Sequence, residues 1–313
     1  MKTLIRRGRF LAAAWVVASI TIASVAAAQP PSDRAAAATT DANAEQTQSQ
    51  RDDDGALVPA EPDFVVVNLP TGLRLPLFRS NFRLTHRFAG NLRRGSFGDE
   101  AASLFGIDQG AVIGFEYRFA VAPHAQAAFY RSSFDRTIQL HGKYDAIRQS
   151  RSVPASMSAV ISIEGTDNFQ ENYAPALGVT LSRILRTRVA AYITPVWAFN
   201  TAASLDAIAH DHDHDAGAHG GAAAAERQNT TYIGIGGRVR AGGTTYVAAE
   251  IVPRVGGYAP DEASYGVSIE KRVGGHMFSL TFTNSFGTTL AQVARGGAEN
   301  SLYLGFNLGR KFF

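Results

Sequence analysis

RTIQLHGKYDA, Arg136 to Ala146, is the stretch that decides the fold. Ile138, Leu140, Gly142, Tyr144 and Ala146 share one parity, and Thr137, Gln139, His141, Lys143 and Asp145 share the other. Successive side chains of a strand point to opposite faces, so this is a ribbon with one apolar and one polar face. It also reaches the roughly 9 to 11 residues that a tilted strand needs to cross a membrane's hydrocarbon layer.

The same period-two pattern recurs at Ser80 to Phe88, Gly110 to Val121, Met157 to Glu164, Val189 to Asn200, Thr244 to Arg254, Tyr265 to Arg272, Phe278 to Phe286 and Ser301 to Phe312. It is weaker at His124 to Ser132, Ala174 to Arg183 and Thr230 to Arg240, which brings the total to twelve segments. Their connections alternate. Short ones such as Ala122-Pro123, Ala241 to Gly243 and Gly274-Gly275 take turns with longer ones such as Ala89 to Gln109, Thr201 to Asn229 and Gly287 to Glu299. Tight periplasmic turns and longer outward loops are how a transmembrane β-barrel is laced, and soluble sandwiches follow no such rule. The expected fold is therefore all-β: an up-and-down antiparallel transmembrane barrel of about twelve strands over 80–313, with both termini in the periplasm.

The first 28 residues carry Lys2, Arg6, Arg7 and Arg9, an apolar run from Phe10 to Val25, and Ala26-Ala27-Ala28, the pattern of a cleaved secretory signal. Removing those four cations from the formal net charge of +3 leaves −1, so the basic character gives no reason to expect nucleic-acid binding. Residues 29–62 are rich in Ala, Pro, Ser, Gln and Asp, including Asp52-Asp53-Asp54, and read as a disordered periplasmic linker. Residues 63–79 (DFVVVNLPTGLRLPLFR) are apolar with two prolines, and suit a lead-in strand, a rim segment or a plug in the lumen. Zero cysteines exclude disulfides, thiolate metal sites and covalent haem attachment, and no cofactor is expected.

The closing strand carries Leu302, Leu304, Phe306, Leu308 and Phe312 on one parity, interrupted by Arg310, with Phe313 one residue out of phase. Alternating apolar residues ending in aromatics make Phe312 and Phe313 the expected insertion signal for the barrel-assembly machinery. Outer-membrane lipid is the other expected partner.

LFGID (Leu104 to Asp108), GFEYRF (Gly114 to Phe119), GKYDAIRQ (Gly142 to Gln149) and EKRVGGHMFSLTFTNSFGTT (Glu270 to Thr289), with LTHRF (Leu84 to Phe88) and LGFNLGRKFF (Leu304 to Phe313), carry a resemblance. Over about Val65 to Phe313 the chain resembles an uncharacterised family of bacterial outer-membrane β-barrels classed as a domain of unknown function. The resemblance implies a barrel and a membrane, and no activity.

Strand parity sends Arg83, Arg87, Arg118, Lys143, Arg188, Arg238, Arg240, Arg254 and Arg272 into the lumen against Glu116, Asp145, Glu164, Glu250 and Glu270, with His141 beside them. Nine cations facing five anions would favour small anionic solutes in an open pore, because a like-sign lining raises the barrier for cations. The same charges could instead pair into networks that close a mid-sized barrel. The expected function is a narrow passive channel for small polar or anionic solutes, with a non-conducting scaffold or binding barrel that anchors a periplasmic or surface partner as the alternative.

His210, His212, His214 and His219 alternate with aspartates in the longest loop. Imidazole and carboxylate suit zinc, nickel or copper, but the surrounding glycine and alanine preorganise nothing, so weak binding is expected. His86 and Asn284 fall on the lipid-facing parity, which is unusual for polar side chains. No H-x-S pair, P-loop, dinucleotide fingerprint or zinc-protease helix occurs, so no enzyme is expected.

Overall fold

A computed structural model describes residues 60–202 and 228–313, which all lie within one compact unit, Gln48–Phe313. The signal segment, the linker up to residue 59 and the four loop histidines lie outside the described residues.

The strands are β1 (Ser80–Asn91), β2 (Ala111–Ala122), β3 (Ala125–Ser132), β4 (Ile138–Ile147), β5 (Ser156–Thr166), β6 (Glu171–Leu185), β7 (Val189–Ala198), β8 (Thr230–Gly242), β9 (Thr245–Val252), β10 (Arg254–Gly257), β11 (Ser264–Val273), β12 (His276–Thr283) and β13 (Tyr303–Phe312). Each pairs antiparallel with its sequence neighbours, except that β8 pairs with both β9 and β10 and β9 pairs with β11, and β13 returns to β1 with Ser80 opposite Phe312 and Arg87 opposite Gly305. The sheet closes on itself, which leaves no free edge. β9 and β10 are one stave interrupted at Pro253, whose missing N–H breaks the ladder, so the barrel has twelve staves.

Alternation in the sequence becomes inside and outside here. Outward residues such as Phe115, Tyr117, Phe129, Leu140, Ile161, Trp197, Ile269 and Leu308 are exposed on the outer surface, whereas their strand neighbours are buried in the lumen. Tight hairpins fall where the backbone can take the left-handed region: Gly243 at φ 50° and Gly274 at φ 54° give the turn a twist that matches its strands. At the other end, the loop after β1 carries helix α1 (Phe97–Ala102), closed by a capping box in which Ser96 and Asp99 bond reciprocally. Those bonds from Ser96 hold the Asp99 carboxyl below the usual carboxylate range.

One strand ends earlier than its alternation suggests. β12 stops at Thr283, three residues before Phe286, and the chain then turns into the barrel. Asn284 is fully buried rather than lipid-facing, because its side chain pins this turn: Oδ1 accepts from Tyr265 N at 2.8 Å and Nδ2 donates to the Ala263 carbonyl at 3.0 Å. His86 does face outward, stacked on Phe306 with ring centroids 4.7 Å apart.

Candidate functional site in the lumen

The lumen is filled by two segments of the chain itself. From the tight-turn end enter residues 60–75, nearly all buried. They form a small hairpin: Val65 bridges Pro70, Val66 N donates to the Leu69 carbonyl at 2.8 Å, and Thr71 N donates to the Phe64 carbonyl at 3.0 Å. From the long-loop end enters the segment after β12, whose helix α2 (Leu290–Ala294) has every residue buried and is capped by Thr289.

Barrel side chains grip the first plug at its backbone. The Glu250 carboxylate accepts from Val67 N at 3.0 Å, Asn68 N at 2.9 Å and Leu69 N at 2.9 Å, which satisfies three consecutive amides at the hairpin tip. Arg238 bonds the Glu270 carboxylate at 2.7 Å through Nε, and its Nη2 donates to the carbonyls of Val65 at 2.6 Å and Val66 at 3.1 Å. Lys143, paired with Asp145 at 2.8 Å, donates to the Leu73 carbonyl at 2.8 Å, and Lys311 donates to the Pro62 carbonyl. A buried polar group without a partner is costly, so each bond ties the position of the plug to the stability of the wall.

The wall is also shaped for the hairpin tip. Gly234, Gly236 and Gly266 point inward where Leu69, Val66 and Val67 sit; a Cβ on Gly234 would lie 2.6 Å from Leu69 Cδ2, and one on Gly266 3.0 Å from Val67 Cγ1. Val66 and Leu69 join Leu290 and Val293 of α2 in one apolar cluster against Ala174, Ala176, Ala190, Ala248, Tyr192 and Tyr232. The two plugs therefore meet along a sector of small residues on β6 to β9. Nearer the tight-turn mouth, Phe64, Leu73 and Leu75 form a second cluster that Phe313 packs against. This contact explains why the last aromatic is out of phase with its strand.

The α2 segment is held by Glu164, which pairs with Arg295 at 3.0 Å and accepts a bond from Thr289 Oγ1. Gln292 reaches Thr137 Oγ1 at 3.1 Å, and Tyr130 and Thr288 share a hydroxyl bond of 2.6 Å.

Of the charges assigned to the lumen by parity, Arg83, Arg87, Glu116, Arg118, Lys143, Asp145, Glu164, Arg238, Glu250, Glu270 and Arg272 are buried inside the barrel. His141 is half-buried and lines a small cavity there. Three do not line a lumen. Arg188 is exposed in the tight turn, beyond the end of β6, and Arg240, near the turn end of β8, reaches over the rim to the Gly243 carbonyl at 2.6 Å. Arg254 is drawn to the opposite mouth by the carbonyls of Arg295, Asp261 and Glu262.

The cation excess disappears as well. Buried among the described residues are eight cationic and seven anionic side chains, since the plug brings Glu61 and Asp63 while Arg188, Arg240 and Arg254 drop out. Glu116 bridges Arg83 at 3.1 Å and Arg118 at 3.0 Å, so the strand charges pair with one another. The signal that strand reading missed was the glycines on the inward parity of β8 and β11, which leave room only another segment can fill.

The cavity between the plugs holds about 20 Å³, lined by Val65, Asn68, Arg83, Glu116, Arg118, Gln139, His141 and Thr288 to Leu290. That admits about one water molecule and no solute. A much larger hollow of about 800 Å³ lies on the outer surface of β2 to β6, between Phe119, Phe129, Ile161 and Leu177, and is a groove in the apolar face.

A family model described as a membrane-bound beta barrel domain (DUF5777) matches residues 67–312. The chain belongs to that family. In this membrane-bound barrel the exposed apolar face is the lipid-facing one, and the matched region takes in the plug tip from Val67 onward. Comparison with curated proteins gives no match. Among solved structures, the chain is similar to the COG4313 outer membrane channel from Pseudomonas putida F1, with 12% identity, 76% of this chain and 97% of that chain covered, and a TM-score of 0.45. It is also similar to the NanC porin (9% identity, 75% and 99% covered, TM-score 0.45) and to LpxR from Salmonella typhimurium (9% identity, 74% and 100% covered, TM-score 0.34).

Proposed function

We infer that this protein is a closed outer-membrane barrel, a scaffold that works through its two ends and does not pass solutes while both plugs are seated. The carrying observation is the lumen itself: two segments of the same chain fill it, most of its charges bond one another or the plug backbone, and the cavity between the plugs holds about 20 Å³. An open pore for small anions needs unpaired cations along a water-filled path, and the near balance of eight buried cations with seven buried anions argues against it. In a planar bilayer the full chain is expected to stay at baseline current. Steady single-channel steps from folded protein would overturn closure.

A gated passage is the second reading. Among the described residues, 60–75 are joined along the chain to the wall only through β1, and hydrogen bonds and packing hold the rest, so this plug can leave without unpairing a strand. That reading expects current only after both plugs are displaced.

Both readings place the tight turns and both termini in the periplasm, on the strength of the loop lengths. An epitope inserted at Gly98, in the loop after β1, is expected to bind antibody on intact cells, and one at Gly243 is not. The reverse pattern inverts the orientation.

A further inference from the structure

Exposed carboxylates are confined to one end of this barrel, whereas exposed cations such as Arg93, Arg94 and Arg136 occur at that end too. Every exposed side-chain carboxylate among the described residues, such as Asp99, Glu171, Asp261 and Glu299, lies at the long-loop end. The tight-turn end has none there, and carries exposed Arg79, Arg148, Arg151, Arg183, Arg186, Arg188, Lys271 and Arg310. These cations lie before β1, at the β4–β5 and β6–β7 turns and at the turn ends of β11 and β13, so they are spread around the rim.

Three of them point sideways. Arg183 lies between Leu181 and Leu185 on the outward parity of β6, Lys271 between Ile269 and Val273 on β11, and Arg310 between Leu308 and Phe312 on β13. Their flanking residues belong to the exposed apolar face. None makes an ion pair among the described residues: Lys271 Nζ reaches Thr245 Oγ1 at 3.3 Å, and Arg310 lies 3.1 Å from His276 Nδ1 and over the Phe312 ring at 5.9 Å. An apolar stem against acyl chains with a cationic head at their polar edge is the arrangement in which Lys and Arg snorkel to lipid headgroups.

We propose that the tight-turn rim is a binding belt for anionic phospholipid, with Arg183, Lys271 and Arg310 as its phosphate-contacting members. Side chains on the lipid-facing parity reach into the bilayer and not off the end of the barrel, which favours a lipid over an acidic periplasmic protein. The belt also bears on the depth of the barrel, because each cation sits near the turn end of the apolar face, with one outward apolar residue (Leu185, Val273 or Phe312) beyond it. The proposal rests on the membrane orientation inferred above; epitope accessibility reads that orientation and lipid retention reads the belt, so either can fail alone.

The test is native mass spectrometry of the full chain released from micelles containing equal amounts of phosphatidylglycerol and phosphatidylcholine with the same acyl chains. Phosphatidylglycerol should be retained about tenfold or more over phosphatidylcholine, and the preference should fall roughly fivefold for each of Arg183→Gln, Lys271→Gln and Arg310→Gln until it reaches unity. Arg183→Lys with Arg310→Lys should keep it, as should Arg93→Gln with Arg94→Gln at the other end. Equal retention by the parent, or an undiminished preference in the folded triple variant, overturns the proposal. So does a preference that emerges only when Asp52, Asp53 and Asp54 are all changed to Asn, which would give the rim to the chain's own acidic run. Stronger retention of lipid A than of phosphatidylglycerol would overturn the assignment to phospholipid.

Discussion

In the Gly234→Val, Gly266→Val variant, a single cysteine at position 60 will react with an aqueous maleimide about thirtyfold or more faster than the same cysteine in the parent barrel. Ala60 is fully buried, and the chain has no native cysteine to confuse the readout. An added Cβ meets Leu69 Cδ2 at 2.6 Å in one case and Val67 Cγ1 at 3.0 Å in the other. Overpacking of this kind costs about 1–3 kcal/mol per site, so the pair reaches at least about 2 kcal/mol, which corresponds to the thirtyfold change. Valine suits a strand better than glycine, so the strain falls on the plug and not on the wall. Gly237→Val is the control: its added Cβ faces outward, 3.8 Å from the Ala190 carbonyl, and labelling should stay slow. A folded double variant that labels at the parent's rate would show that the glycines are no socket.

Arg238→Ala will lower the stability of the barrel by about 3–5 kcal/mol, read as a shift to milder conditions in the conversion of the compact band on unboiled gels. Arg238 is fully buried and joins the Glu270 carboxylate on β11 to two carbonyls of the plug. Without it a buried carboxylate has lost its counter-charge and two carbonyls their donor, and most of the cost lies there. Removing both charges as Arg238→Met with Glu270→Gln should therefore cost less than Arg238→Ala alone. If Arg238→Ala converts with the parent, the pair contributes nothing to holding plug and wall together.

The strands and their parity were determined by the sequence alone, because a strand's two faces depend only on residue order. Ile138 to Asp145 could be read as outside and inside without any neighbour, and the alternating connections then dictated closure of an up-and-down barrel. Alternation could not say where a strand ends: the pattern runs on to Phe286, yet Asn284 turns the chain inward after Thr283. Nor could parity say what a lumen charge meets. Glu250 reads as a carboxylate lining a pore, but its partners are amides 181 to 183 residues away. Arg188 and Arg240 have the right parity and the wrong height, which depends on strand tilt and register. Only the tertiary structure chose the plug for residues 63–75 of the 63–79 segment and left 76–79 exposed, since glycines from β8 and β11 form the socket together and no local pattern records that meeting. The charge balance followed from the same choice: Glu61 and Asp63 count toward the lumen only once the segment carrying them is inside it.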